Sequence, residues 1–134
     1  MSAELIPINA QNPESALINQ AAQFLKNGHL VIFPTETVYG LGGNALAANA
    51  VKKMSEAKGR PSRNPLIVHV ASVEQARTLV SEWPTQAEQL AEAFWPGPLT
   101  FVLPKGDAVP PEVTGGGTTV AIRIPAHPVA LALI

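Results

Sequence analysis

The sequence contains no cysteine. That excludes disulfides, thiolate metal sites and a cysteine nucleophile, and it fits a reducing compartment such as the cytoplasm. Charge is also scarce. Asp, Glu, Lys and Arg make up 14% of the 134 residues, and the net charge is −1. No global field therefore draws the chain to nucleic acid or to an anionic membrane. No apolar run approaches the roughly 20 residues that span a bilayer. Glu4 near the N-terminus does not suit a secretory signal. A soluble, cytoplasmic protein with no membrane segment is the expectation. Familiar catalytic signatures are missing as well: there is no G-x-x-x-x-G-K-[ST] loop, no G-x-G-x-x-G and no G-x-S-x-G elbow. His29, His69 and His127 stand too far apart for metal-ligand spacing, so no metal site is expected.

What is present reads as a globular α/β domain. Apolar residues make up 46% of the chain, and the length suits one domain with one core, taken as residues 1–134. The 13 prolines sit at element edges rather than in a tract. Asn12 as N-cap, Pro13 as first helical residue and Gly28 as stop frame a first helix. Its apolar face is Leu17, Ile18, Ala21, Phe24 and Leu25. Leu30–Phe33 and Leu66–Val70 are short continuous apolar runs, the pattern of strands buried on both faces. A helix is expected over about Asn49–Ala57 with Gly59 as its stop. Two more should open on the capping boxes Ser72/Gln75 and Thr85/Glu88. Strands are expected at Leu99–Leu103 and Thr119–Ile124, with a Pro- and Gly-rich surface loop from Pro104 to Gly117 between them. The expected architecture is a twisted open sheet of mixed parallel and antiparallel strands.

The C-terminus ends in the apolar stretch Val129–Ile134 after Pro128. An apolar helix start without a polar face or cap suggests that its partner surface lies elsewhere. The expectation is a domain incomplete at its C-terminus; the alternative is a terminal segment packed into the core or into a dimer.

Chemistry is most readily carried by Pro34-Thr35-Glu36-Thr37-Val38-Tyr39-Gly40, which follows a strand directly. Ligands of open α/β sheets bind at strand ends. The loop offers hydroxyls, a carboxylate and a phenol to a small polar ligand, or its threonines bond their own backbone in a turn. A second candidate is the run Lys52, Lys53, Lys58, Arg60 and Arg63, which holds five of the nine positive charges. Gly59, Pro61 and Pro65 constrain the path from Lys58 to Pro65, as a preorganised phosphate site would require. An ordinary basic surface loop is the other reading. His69 and Arg123 interrupt apolar strands. An arginine buried there needs a partner, either Glu36 or a ligand carboxylate. The plainer readings are a core histidine and an edge arginine facing water.

Together Pro34–Leu41, Lys58-Gly59-Arg60-Pro61, Asn64-Pro65-Leu66, His69, Trp95–Thr100 and Val120–Pro125 resemble, in order, the signatures of YrdC-type threonylcarbamoyl-AMP synthases. The resemblance implies a reaction of L-threonine, bicarbonate or CO2, and ATP. The products are L-threonylcarbamoyl-adenylate and pyrophosphate, and separate transferase machinery passes the group to tRNA position 37. It places Thr35, His69 and Arg123 at threonine, and Lys58, Arg60, Asn64 and Thr119 at ATP. Lys58 and Arg60 take the catalytic charge-stabilising role, and Mg2+ is carried by the ATP phosphates. Arg63 matches no family position and stays a surface charge. The family also continues into a Ser-x-Asn motif that does not follow Arg123 here, so a damaged nucleotide pocket and weak activity are expected of this chain. Two alternatives stay open: a module for tRNA or double-stranded RNA, and a YciO-like paralogue with another substrate.

Overall fold

The computed structural model describes residues 3–59 and 64–134. Helix α1 (Ser15–Lys26) leads into strands β1 (Val31–Pro34) and β2 (Tyr39–Gly42), then helix α2 (Ala48–Lys58) and strand β3 (Ile67–His69). Helices α3 (Val73–Arg77) and α4 (Thr85–Phe94) precede strand β4 (Phe101–Pro104), helix α5 (Pro111–Thr114), strand β5 (Thr119–Arg123) and helix α6 (Pro128–Leu133). The fold is α/β with mixed pairing, as expected. β5 is central, with β3 parallel on one side and β4 antiparallel on the other. β1 and β2 form a separate antiparallel hairpin. The sheet hydrogen bonds thus divide into a pair and a triplet, not one continuous sheet.

The alternation along β5 places the core. Val120 and Ile122, with Ile124 just beyond, face one side and are buried among Val51, Val68, Val70, Leu79, Val109 and Val113. Thr119, Ala121 and Arg123 face the other side, because successive strand residues point to opposite faces. Ile122 is wholly buried, a side chain of a size whose burial contributes about 1.5–3 kcal/mol. The expectation of strands buried on both faces fails. Ile32 remains 65% exposed and Ile67 50%. Ile67 belongs to the wall of a cleft, whereas the exposed Ile32 does not.

Several end signals act as read. Gly28 takes φ 82° after α1, and Gly59 takes φ 66° after α2, where its N–H bonds Glu56 and Ser55 carbonyls. Ser72 Oγ accepts the Gln75 N–H at 3.1 Å, and Gln75 Oε1 accepts that of Ala71 at 2.9 Å. Other signals act differently. α1 begins at Ser15 with Glu14 as N-cap, and the Asn12 N–H instead donates to Asn9 Oδ1 at 2.9 Å. The Thr85/Glu88 box does not form. The cap residue is Pro84, which has no N–H for Glu88 to accept. Glu88 instead takes the Trp83 indole N–H at 2.5 Å and Arg77 at 2.7 Å. The expected loop from Pro104 to Gly117 contains α5, and it is not all surface: Val109, Val113 and Thr114 are buried. Pro111 is preset for a first helical turn, and Val109 and Val113 reach the core together.

Candidate functional site

A cleft of about 870 Å³ opens between the hairpin, β3, the end of β5 and the end of α6. Thr35, Lys58, His69 and Arg123 all line it. It forms there because β5 turns Arg123 away from the core and β3 sets His69 directly beside it, as parallel register partners. The hairpin brings its turn, Thr35 to Val38, over the same face.

Arg123 is paired with Glu36, not facing water. Its Nη2 donates to Glu36 Oε1, and its Nε donates to the Gly97 carbonyl at 2.9 Å. Glu36 Oε2 accepts the Ala126 N–H at 2.8 Å. The two side chains keep 11% and 23% of their exposure. Burial alone would raise the Glu36 carboxyl. The bonds from the Ala126 and Glu36 backbone and from Arg123 outweigh it and hold the group below its ordinary value. His69 is pushed down by burial and by the Arg123 charge, only partly offset by a bond with the Ile67 backbone and by Glu36. Its ring stands edge-on to Phe33, centroids 6.2 Å apart. The imidazole is therefore neutral at neutral pH, with one nitrogen donating and the other accepting.

The threonines bond their own backbone, as the turn reading of the sequence has it. Thr35 Oγ1 donates to the Val38 carbonyl at 2.5 Å and accepts the N–H groups of Val38 at 3.2 Å and Thr37 at 3.3 Å. Thr37 Oγ1 lies 3.1 Å from it. The hydroxyls bond their own turn, and both threonines belong to the lining of the cleft.

The remaining candidates are spread further. Lys58 closes α2 and lines the cleft. Asn64 and Thr119 are not in the lining. Thr119 shares the open face of β5 with Arg123, four residues earlier, a separation of about 13 Å at the usual strand rise. Asn64 precedes β3, and the parallel register sets it toward that same Thr119 end. Arg60 and Arg63 lie outside the described residues. Reading side chains missed Gly97 and Ala126, because both act through the backbone. The Trp95–Pro98 turn was the one available signal for Gly97.

One half-open sheet face of this α/β domain thus brings together a fixed arginine, a neutral histidine and a hydroxyl-rich turn. Residues 23–134 match the Sua5/YciO/YrdC family model, described as telomere recombination, and the chain belongs to that family. It is 62% identical over 117 residues to the threonylcarbamoyl-AMP synthase of Pyrococcus abyssi, covering 87% of this chain and 34% of that protein. The structure of P. abyssi Sua5 complexed with L-threonine matches at TM-score 0.92 and 59% identity, over 97% of this chain and 38% of that one. The structure of E. coli YciO matches at TM-score 0.84 and 27% identity, over 94% of this chain and 61% of that one. The chain thus spans about a third of the length of its Pyrococcus relative.

Proposed function

We propose that this chain supplies the threonine-binding part of an enzyme that makes L-threonylcarbamoyl-adenylate from L-threonine, bicarbonate or CO2, and ATP. The observation that carries the reading is the grouping of Thr35, His69 and Arg123 in one cleft. The likeness to a threonine-complexed structure over 97% of the chain supports it. Identity of 62% to a protein named as that synthase, against 27% to YciO, favours it over the paralogue reading.

In this reading the threonine carboxylate meets Arg123 in a charge-assisted bond, with His69 and Thr35 flanking the rest of the molecule. Lys58 and Arg60 take the triphosphate, and Asn64 and Thr119 take the nucleotide further along the sheet. The separation of about 13 Å between the Arg123 and Thr119 ends of β5 suits an extended pair of substrates. The threonine amine forms a bond to the carbon of CO2 and loses a proton; starting from bicarbonate, that carbon also gives up its hydroxyl oxygen as water. The resulting carbamate oxygen attacks the α-phosphorus, and pyrophosphate leaves. No protein nucleophile is required; the chain contributes position and charge. Mg2+ belongs to this proposal as a companion of the ATP phosphates. Among the described residues no three His, Asp or Glu side chains gather to hold a cation.

Cytoplasmic location and transfer of the product to tRNA by other machinery complete the reading. Among the described residues no helix is long and apolar enough to cross a membrane. Contact with tRNA or double-stranded RNA would use the exposed Lys52, Lys53 and Lys58 of α2, and a salt titration with tRNA tests it, a flat response ruling out phosphate contacts. The enzymatic reading is tested by pyrophosphate release from the protein that carries this domain. Release should need threonine, bicarbonate and ATP together; release with ATP alone would overturn it.

A further inference from the structure

Among the described residues Glu36 is the one ionised group that bonds Arg123, and the reaction proposed above assigns it no part. Both of its oxygens are used: Oε1 by Arg123 and Oε2 by the Ala126 N–H. Its backbone is set by the Thr35 turn, whose hydroxyl bonds Thr37 and Val38 on the far side of Glu36. The carboxylate is thus anchored independently of the arginine.

Arginine has a long side chain with much rotamer freedom, and its planar fork binds a carboxylate well only when aimed at it. Glu36 and the Gly97 carbonyl take Nη2 and Nε from two directions. Among the described residues no hydrogen bond engages Nη1, and Arg123 lines the cleft. We infer that Glu36 is a positioning residue: it orders the Arg123 guanidinium before ligand arrives and leaves Nη1 to receive a ligand carboxylate. Ordering in advance removes an entropic cost from binding. Glu36 also offsets part of the positive charge. Without it, however, the guanidinium would sit largely buried, with the Gly97 carbonyl as its remaining partner among the described residues and no fixed aim. The pairing is no plug of the site, because it consumes Nη2 and not Nη1.

This inference rests on reading Arg123 as the receiver of the threonine carboxylate. The test titrates wild-type and Glu36→Gln chains with L-threonine and with L-threoninamide, which lacks the carboxylate, by calorimetry. Glu36→Gln should bind threonine about tenfold more weakly, while threoninamide affinity stays unchanged. In an Arg123→Lys background, Glu36→Gln should add no further loss. If Glu36→Gln does not fold, Glu36→Asp, which keeps the charge but is one methylene shorter, should show the same carboxylate-selective loss. Equal loss of both ligands, unchanged threonine affinity, or tighter threonine binding would overturn the positioning role. Failure of the wild-type chain to bind threonine would overturn the functional reading beneath it.

Discussion

Arg123 and Glu36 join parts of the chain 87 positions apart, and the Ala126 N–H shares the same carboxylate. The pair therefore ties the hairpin turn to the end of β5 and to the entry of α6. One link serves stability and shapes the cleft at once.

Removing the arginine should expose both roles. Arg123→Ala leaves the Glu36 carboxylate with backbone partners only and the Gly97 carbonyl without its Nε partner. We expect a loss of about 1–3 kcal/mol by urea denaturation, the range for partly screened charge-assisted bonds. Threonine affinity should fall far more than ATP affinity. Equal loss of both ligands would count against the role assigned to Arg123.

Stability should fall as pH falls, in two stages of one sign. His69 is held below its ordinary 6.5, so the unfolded chain takes up that proton first. Stability then declines as pH drops below about 6.5 and stops declining below the folded value. Glu36 is held below its ordinary 4.5, so its contribution is present above that value and is lost as pH falls through the folded one. Denaturation curves across pH should show both stages, and His69→Gln should remove the upper one. Equal or greater stability at about pH 5.5 than at about pH 7.5 would contradict this linkage.

Gly97 is held by its surroundings. A Cβ there would lie 2.7 Å from the Phe94 carbonyl oxygen, a backbone atom. Its N–H donates to the Ile124 carbonyl at 2.8 Å and its own carbonyl receives Arg123 Nε. Gly97→Ala should cost about 1–3 kcal/mol, as overpacking does, and should weaken threonine binding by shifting one of the two anchors of Arg123. Unchanged melting and unchanged affinity would show that the turn yields freely.

Thr35 can be separated into its hydroxyl and its methyl. Thr35→Ser keeps the hydroxyl that bonds Val38 and Thr37, and should fold and bind nearly as well. Thr35→Val keeps the shape but removes those bonds, at about 0.5–1.5 kcal/mol each. It should lose both stability and threonine affinity. Thermal melts with threonine titrations separate the two, and a valine variant that behaves like serine would remove the hydroxyl from the account.

How far the sequence could be read depended on the kind of signal. Strands β1, β3, β4 and β5 and the stops at Gly28 and Gly59 were legible because short apolar runs and glycine act locally. The α5 turn was hidden in a Pro- and Gly-rich stretch whose composition suggests a loop, although Val109 and Val113 carry the helical spacing. The failed box at Thr85 shows a tertiary competitor: Trp83 and Arg77 claim Glu88, and Pro84 offers no donor. Thr35, His69 and Arg123 stood out in the sequence, and all three line the cleft. Glu36 appeared only as one of two possible partners for Arg123, and the choice depends on which strand lies beside which. The backbone anchors at Gly97 and Ala126 had no side-chain identity to read.

A threonine carboxylate received at Arg123 would be felt first by the guanidinium itself. An amide and guanidinium NMR titration of the 134-residue chain with L-threonine tests that contact most directly. Saturable shifts are expected at Arg123 Nε, Ala126, Gly97 and the Thr35–Val38 turn, abolished by Arg123→Ala. Shifts confined to other surfaces, or none at saturating threonine, would contradict it.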